Sequence, residues 1–386
     1  ITSKKVHTWL GNEKQIVVFD ANSEFNPDSF AAISGIIVGS GSFFLLLPEK
    51  EQWNKVYSSP FGQRFIKSIT ARPELIIIKQ DEKIANFLPA KLQTKFSKNF
   101  IAPFLTSDQQ YIVENIEEQV LNNNTDPVAI ISDRGRGKSA ALGILAVRLL
   151  KAGIKNIVIT APRLRATNIV FKHISALLPE AEVARGCVRL GDSRIQFYPP
   201  DQLMEEEINT DLLLVDEAAA IPVSLLTSFL YHYRQCVFAT TVHGYEGTGR
   251  GFALRFNKIL IDKYPGWIPL KMETPIRWPV NDPLEKWIFS LLCLDADVVE
   301  VNTLGEIDAD KFEPCLLNKE QLAANPVLLN EIFSLLVLAH YRTRPSDLKN
   351  LLDDDNVSLY VTLHNNHVIA VVLVIYEGCF PDSLST

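Results

Sequence analysis

The chain has 386 residues, enough for two or three domains, and 47% of them are apolar, an ordinary fraction for a globular protein. A net charge of −7 gives no general basic field for nucleic acid. Five scattered cysteines without Cys-x-x-Cys spacing argue against structural zinc and for a reducing, cytoplasmic setting, and the longest apolar run, residues 368–375, is far too short to cross a bilayer, so no membrane partner is expected.

Residues 1–95 read as a small α/β domain, with strands at 15–20, 42–47 and 74–78 and a helix at 27–37. None of these strands is followed by a glycine-rich phosphate loop, so no chemistry is assigned there. Residues 96–106 read as a linker. Thr106-Ser107-Asp108-Gln109-Gln110 then opens a helix, with Ser107 and Gln110 at capping-box spacing. Gln109 is left over, and its amide reads equally as a surface group or as a match for an adenine edge.

A segment at 107–294 alternates strands and helices, the pattern of an α/β ATPase core. It contains Ser132-Asp133-Arg134-Gly135-Arg136-Gly137-Lys138-Ser139, set between the apolar run Val128-Ala129-Ile130-Ile131 and a helical stretch from Ala140. A strand, a glycine-rich turn and Gly-Lys-Ser opening a helix is the layout of a phosphate-binding loop. Glycines let backbone N–H groups converge on phosphate oxygens, and the helix N-terminus adds a favourable dipole. Lys138 would reach the β- and γ-phosphates, and the Ser139 hydroxyl would ligate Mg²⁺. One position departs from the pattern: its first glycine is Ser132 here.

Leu212-Leu213-Leu214-Val215 reads as a fully buried strand ending in two carboxylates, Asp216 and Glu217. Ligands bind at that end of strands in open α/β sheets. Asp216 would hold Mg²⁺, and Glu217 would polarise an attacking water. Cys236-Val237-Phe238-Ala239-Thr240-Thr241 reads as a third buried strand, with its threonines either sensing a γ-phosphate or capping the next turn. A glycine-rich loop with Arg250 follows. Arg163 and Arg165, after the strand at 156–160, read equally as an RNA contact or a solvated loop. The last strand of the segment lies near 268–273, followed by Pro275-Ile276-Arg277-Trp278 and a helix at 284–292 opened by Asp282-Pro283.

Residues 300–386 form a third region, with helices at 330–341 and 345–352 and a hairpin at 358–375 turning on Asn365-Asn366. That turn makes a metal site on His364 and His367 unpromising. The apolar strand at 368–375 needs partners, and few residues follow it, so this region is expected to be incomplete.

Four motifs in order, Arg134-Gly135-Arg136-Gly137-Lys138-Ser139-Ala140, Val215-Asp216-Glu217-Ala218-Ala219-Ala220-Ile221-Pro222, Thr241-Val242-His243-Gly244-Tyr245-Glu246-Gly247-Thr248-Gly249-Arg250 and Pro275-Ile276-Arg277-Trp278, resemble the tRNA(Met) cytidine acetyltransferase (TmcA) family over essentially the whole chain. The resemblance implies an N-terminal α/β domain, a RecA/helicase-like P-loop ATPase domain and the start of a GNAT acetyltransferase domain. It implies transfer of acetyl from acetyl-CoA to N4 of the wobble cytidine of elongator tRNA(Met), coupled to ATP or GTP hydrolysis, by a monomer. Matched motif by motif, its nucleotide-binding residues fall on Gln109, on Ile131, Ser132, Asp133, Arg134, Gly135, Arg136, Gly137, Lys138, Ser139 and Ala140, and on Arg277. The glycine-rich turn on which GNAT enzymes hold the CoA pyrophosphate is not reached, so the acetyl-CoA site is expected to be incomplete in this chain. The alternative is an RNA helicase or remodelling ATPase without acetyl transfer.

Overall fold

The computed structural model describes residues 6, 13–79, 102–241, 249–296, 313–339 and 343–377. Contacts divide the chain into two compact units, Gln93–Val280 and the pair Ile1–Leu92 with Asn281–Thr386.

The unit Gln93–Val280 is built on an eight-stranded sheet. From one edge its strands are Ile268–Met272, Val128–Ser132, Cys236–Thr241, Leu212–Val215, Asn156–Thr160, Ser193–Phe197, Cys187–Leu190 and Glu182–Ala184. The first six run parallel, and the last two pair antiparallel. Central strands of a parallel sheet are covered on both faces, which is why Leu212–Val215 is apolar throughout and wholly buried. Alternate residues serve opposite cores. Leu212 and Leu214 pack with the helices Ser107–Leu121, Lys138–Lys151 and Asn168–Leu177; Leu213 and Val215 pack with Val223–His232 and Gly249–Lys263. Val128–Ser132 is flanked by Cys236–Thr241 and Ile268–Met272 while its own helix leads away to Asn156–Thr160. The strand order therefore reverses beside it, and such a switch point opens a crevice at the carboxyl ends.

The other unit joins residues far apart in sequence. A parallel pair, Lys14–Asp20 and Ile37–Leu46, is connected by the helix Pro27–Ser34. Phe19, Phe25, Phe30, Phe61 and Phe65 form an aromatic core that includes Trp287 of the helix Pro283–Leu292. The Trp287 ring lies 5.3 Å from that of Phe30, and its Nε1 donates to Ser68 Oγ at 2.9 Å. Helix ends are satisfied by exchange between the two stretches. Buried Arg64 donates to the Ser290 and Leu291 carbonyls. Asp353 accepts from Ser59 Oγ and Phe61 N, and Asp28 accepts from Ser346 N.

The third sheet, Cys315–Leu316, Val357–His364 and His367–Ile375, is antiparallel. Its hairpin turns on Asn365 and Asn366, both with positive φ as a two-residue turn of this hand requires. His367 Nδ1 lies 2.8 Å from Glu331 Oε1.

Several sequence expectations are corrected. Residues 74–78 form no strand: Ile76, Ile77 and Ile78 are about half exposed and pair with nothing among the described residues. Three β-branched residues carry β-propensity, but a strand exists only where a ladder partner is available. The first helix ends at Ser34, and the following strand begins five residues early, at Ile37. The cap of Ser107–Leu121 is Thr106, whose hydroxyl accepts from Gln109 N, while Gln110 bonds to Glu114 instead of closing a box with Ser107. The helix expected at 330–341 begins four residues earlier, at Pro326, and residues 340 and 341 lie outside the described residues. Most of the linker at 96–106 and residues 242–248 lie outside the described residues, and the Arg250 side chain is not described.

Replacing Trp287 by Ala is expected to destabilise its unit by about 3–5 kcal/mol, since a fully buried aromatic is lost with a cavity left behind. Urea unfolding followed by circular dichroism checks this, and a loss below about 1 kcal/mol would mean that this core does not depend on the helix.

Candidate nucleotide-binding site

The loop leaves the sheet at Ser132 and enters the helix Lys138–Lys151 through Gly137. Gly135 and Gly137 hold φ of +81° and +94°, which only glycine adopts without strain. At Gly137 space is limiting as well: a Cβ would lie 2.2 Å from Ile276 Cδ1. The segment after Ile268–Met272 seats the loop. Ile276 N donates to Gly135 O at 3.0 Å, and the Trp278 ring lies against Gly135. Arg136, buried, reaches back with Nε to Glu273 O at 3.1 Å and with Nη1 to Arg134 O at 3.0 Å.

A second support comes from the start of Ser107–Leu121. Asp108 Oδ2 accepts from Glu273 N at 2.9 Å and Thr274 N at 2.8 Å. Burial works to raise the Asp108 carboxyl, but the Thr106 hydroxyl and the N–H groups of Thr274, Glu273 and Gln109 outweigh it and hold the pKa low. Gln109 is wholly buried. Its Oε1 accepts from Leu105 N and its Nε2 donates to Gly137 O at 3.2 Å, so its amide is tied to the loop. Arg277 lies between two residues that touch Gly135, with its guanidinium 5.8 Å from the Trp278 ring centre.

Lys138 is buried, and its ammonium contacts Ser132 Oγ at 2.9 Å, Asp133 O at 3.0 Å and Ser132 O at 3.5 Å. Burial depresses its pKa to about 8, against the pull of Asp216, Asp133 and Glu217. Asp216, also wholly buried, is shifted the other way: burial raises it, while Ser139, Lys138 and the Glu217 N–H work to lower it. Its Oδ1 accepts from Glu217 N at 3.0 Å, and its Oδ2 is buried with no hydrogen-bond donor. Ser139 and Asp216 thus stand together at the start of the loop helix and the end of Leu212–Val215. Buried acceptors without donors are rare and call for an explanation, and a cation supplies one, so the pair fits Mg²⁺. Glu217 is exposed and has φ +51°, a left-handed conformation unusual for glutamate.

Sequence reasoning missed Asp108, Ile276 and Trp278 as supports of the loop, and Thr160, whose buried hydroxyl has no partner, like that of Thr240. Arg163 and Arg165 are exposed.

Residues 129–295 match the family model for the helicase domain of the RNA cytidine acetyltransferase NAT10/TcmA, and residues 1–80 match that for the N-terminal part of the tRNA(Met) cytidine acetyltransferase TmcA. The TmcA of Nitrosococcus halophilus is 42% identical over 98% of this chain and 54% of its own length. The chain belongs to the TmcA family. The TmcA of Vibrio cholerae is 33% identical over 96% of this chain and 50% of its own. The chain thus spans about half the length of these TmcA relatives. Among solved structures, the large terminase of a thermophilic bacteriophage shares 12% identity over 48% of this chain and 50% of its own, with a TM-score of 0.38. No helix of the described residues is long and apolar enough to cross a membrane.

A phosphate contact by Lys138 needs its ammonium, and a folded-state pKa of about 8 makes that form the minor one above this pH. Nucleotide affinity is therefore expected to be flat at lower pH and to fall as pH rises through about 8, approaching tenfold per pH unit. Titration with a fluorescent ATP analogue across that range checks this, and a constant Kd would remove the ammonium from the contact. Separately, Gly137→Ala is expected to weaken nucleotide binding by more than about tenfold, because an alanine is strained at φ +94° and the tip of Ile276 must also move aside. Isothermal titration measures it, and unchanged affinity would mean that the loop tolerates a different path.

Proposed function

We propose that this chain carries the ATPase part of an enzyme that forms N4-acetylcytidine at the wobble position of elongator tRNA(Met). The observation that carries this reading is the joint placement of the Lys138 ammonium, the Ser139 hydroxyl and the Asp216 carboxylate at one end of a parallel sheet, in a member of the TmcA family.

In this reading the loop residues Ile131, Ser132, Asp133, Arg134, Gly135, Arg136, Gly137 and Ala140 surround the nucleotide phosphates, whose charge the Lys138 ammonium offsets. Gln109 and Arg277 complete the nucleotide site from the two elements that brace the loop. Ser139 and Asp216 would hold Mg²⁺, which when bound neutralises charge on the β- and γ-oxygens. Glu217 accepts a proton from the attacking water; its exposed position at the strand end leaves it access to solvent. ATP or GTP serves as the nucleotide.

Hydrolysis has a use in such a reaction. An exocyclic amine inside a base stack cannot meet an acyl donor, and unstacking one base costs a few kcal/mol, which nucleotide hydrolysis exceeds. Acetyl-CoA then supplies an acetyl thioester: N4 bonds to the carbonyl carbon, the carbon–sulfur bond breaks, CoA leaves as its thiol and the amine loses one proton. Alignment and a hydrogen bond to the carbonyl oxygen account for most of such a rate gain. Residues 300–386, which follow the ATPase segment 107–294, are assigned to the start of the GNAT acetyltransferase domain. The reading places the protein in the cytoplasm as a monomer.

Lys138→Ala is expected to reduce ATP hydrolysis by at least about 10²-fold, and Glu217→Gln to reduce turnover while leaving ATP binding in place. In cells, Lys138→Ala in the intact gene should remove N4-acetylcytidine from elongator tRNA(Met), read by nucleoside mass spectrometry. Full acetylation with ATPase abolished would break the coupling. An unchanged level in a gene deletion would leave an RNA-remodelling ATPase without acetyl transfer.

A further inference from the structure

The position where the phosphate-loop pattern departs from glycine is also where the structure does something unexpected. Ser132 is the last residue of its strand and is held on both sides, paired with Thr241 and with Met272. Its backbone is therefore fixed and its side chain is buried at 6% exposure. The hydroxyl donates to Asp133 O at 3.0 Å and accepts from Lys138 Nζ at 2.9 Å. A glycine would offer neither bond. An ammonium has three donors. Those of Lys138 are spent on Ser132 Oγ, Asp133 O and, more weakly at 3.5 Å, Ser132 O. All three acceptors belong to the loop itself, so in this state the two good hydrogen bonds of the ammonium are both made within the loop.

We propose that Ser132 is a positioning residue that latches Lys138 inward, so that nucleotide binding must break the Ser132–Lys138 hydrogen bond before the ammonium can reach phosphate. The inference rests on the nucleotide reading of the site for its consequence, though not for the latch. It sets a direction that a merely structural serine would not. Removing the hydroxyl weakens only the free state, because in the bound state the ammonium has moved to phosphate. Affinity for nucleotide should then rise, whereas loss of a packing residue would lower it. The cost of breaking the bond scales as a hydrogen bond to a charged group, so the gain is expected to be about five- to tenfold.

The test uses the full chain as wild type, Ser132→Ala, Ser132→Gly and Ser132→Thr. Two quantities are read: Kd for a fluorescent ATP analogue, and the rate at which an amine-acylating reagent labels Lys138 in nucleotide-free protein, by peptide mass spectrometry. The expected result is faster Lys138 labelling and about five- to tenfold tighter nucleotide binding in Ser132→Ala and Ser132→Gly, with Ser132→Thr restoring both toward wild type. Equal labelling in wild type and Ser132→Ala overturns the latch, and so does faster labelling accompanied by unchanged or weaker nucleotide binding. Faster labelling in a protein whose wild type binds no nucleotide would keep the latch and remove the nucleotide reading. Two small substitutions guard against one variant failing to fold.

Discussion

The loop from Ser132 to Ser139 depends on one contact: the backbone of two glycines, Gly135 and Gly137, lies against Trp278 and Ile276. Everything else follows from it. Only two glycines in left-handed φ let the loop run close enough for Ile276 N to reach the Gly135 carbonyl. The same approach brings Arg136 within reach of Glu273 O, and Gln109 within reach of Gly137 O. The loop is therefore clamped between the element before it in sequence and the element after the last parallel strand. Asp108 joins these two braces directly by accepting from Glu273 N and Thr274 N. A change that moves Ile276 or Trp278 therefore reaches the loop without touching it.

Burial then sets the electrostatics. Lys138 and Asp216 are both buried and within electrostatic reach of one another, and desolvation disfavours the charged form of each. Lys138 meets this with loop oxygens. Asp216 meets it only in part, since one carboxylate oxygen is left without a donor. The two shifts run in opposite directions for the same reason, and each residue's charge works to restore the other's. The Asp216 oxygen without a donor is an acceptor that a cation could satisfy. In dry surroundings such groups interact far more strongly than they would on a surface.

Much of this was legible in the sequence because it rests on local patterns. The loop, the carboxylates after Leu212–Val215 and the hairpin on Asn365 and Asn366 each follow from spacing and backbone preference alone. What was not legible depends on partners distant in sequence. Residues 74–78 look like a strand, yet a strand is defined by a neighbour, and none is at hand among the described residues. Thr106 and Ser107 are both competent caps one residue apart, and only the path of the chain before the helix selects between them. Asp108 reads as an ordinary first-turn acid, because its acceptors' partners lie 165 and 166 residues away. Trp287 reads as the apolar face of a helix following the ATPase strands, but its core is supplied by residues 19–65.

Departures from local rule are not spread evenly. Positive φ at a residue other than glycine occurs at Asn123, Asn281, Asn365 and Asn366, where the side chain tolerates it, and at Cys293, where a helix ends. Glu217 has neither excuse: glutamate gains nothing locally in that conformation, which costs of order 1 kcal/mol or more. Beside it Asp216 leaves an oxygen without a donor, and Thr160 and Thr240 on the two flanking strands leave hydroxyls without partners. Ser132 stands in a glycine's place on the strand next to Thr240. These five positions lie on four adjacent strands or directly after them, at their carboxyl ends. Buried side-chain atoms without a partner occur at Asn115, Trp278 and Thr343 as well, but at this edge three of them lie together beside a left-handed glutamate, and such a cluster is where a ligand can meet the unmet demand. Ser132 differs in that its hydroxyl is engaged on both sides, and the other four positions mark this edge of the sheet by departures that stability alone does not favour.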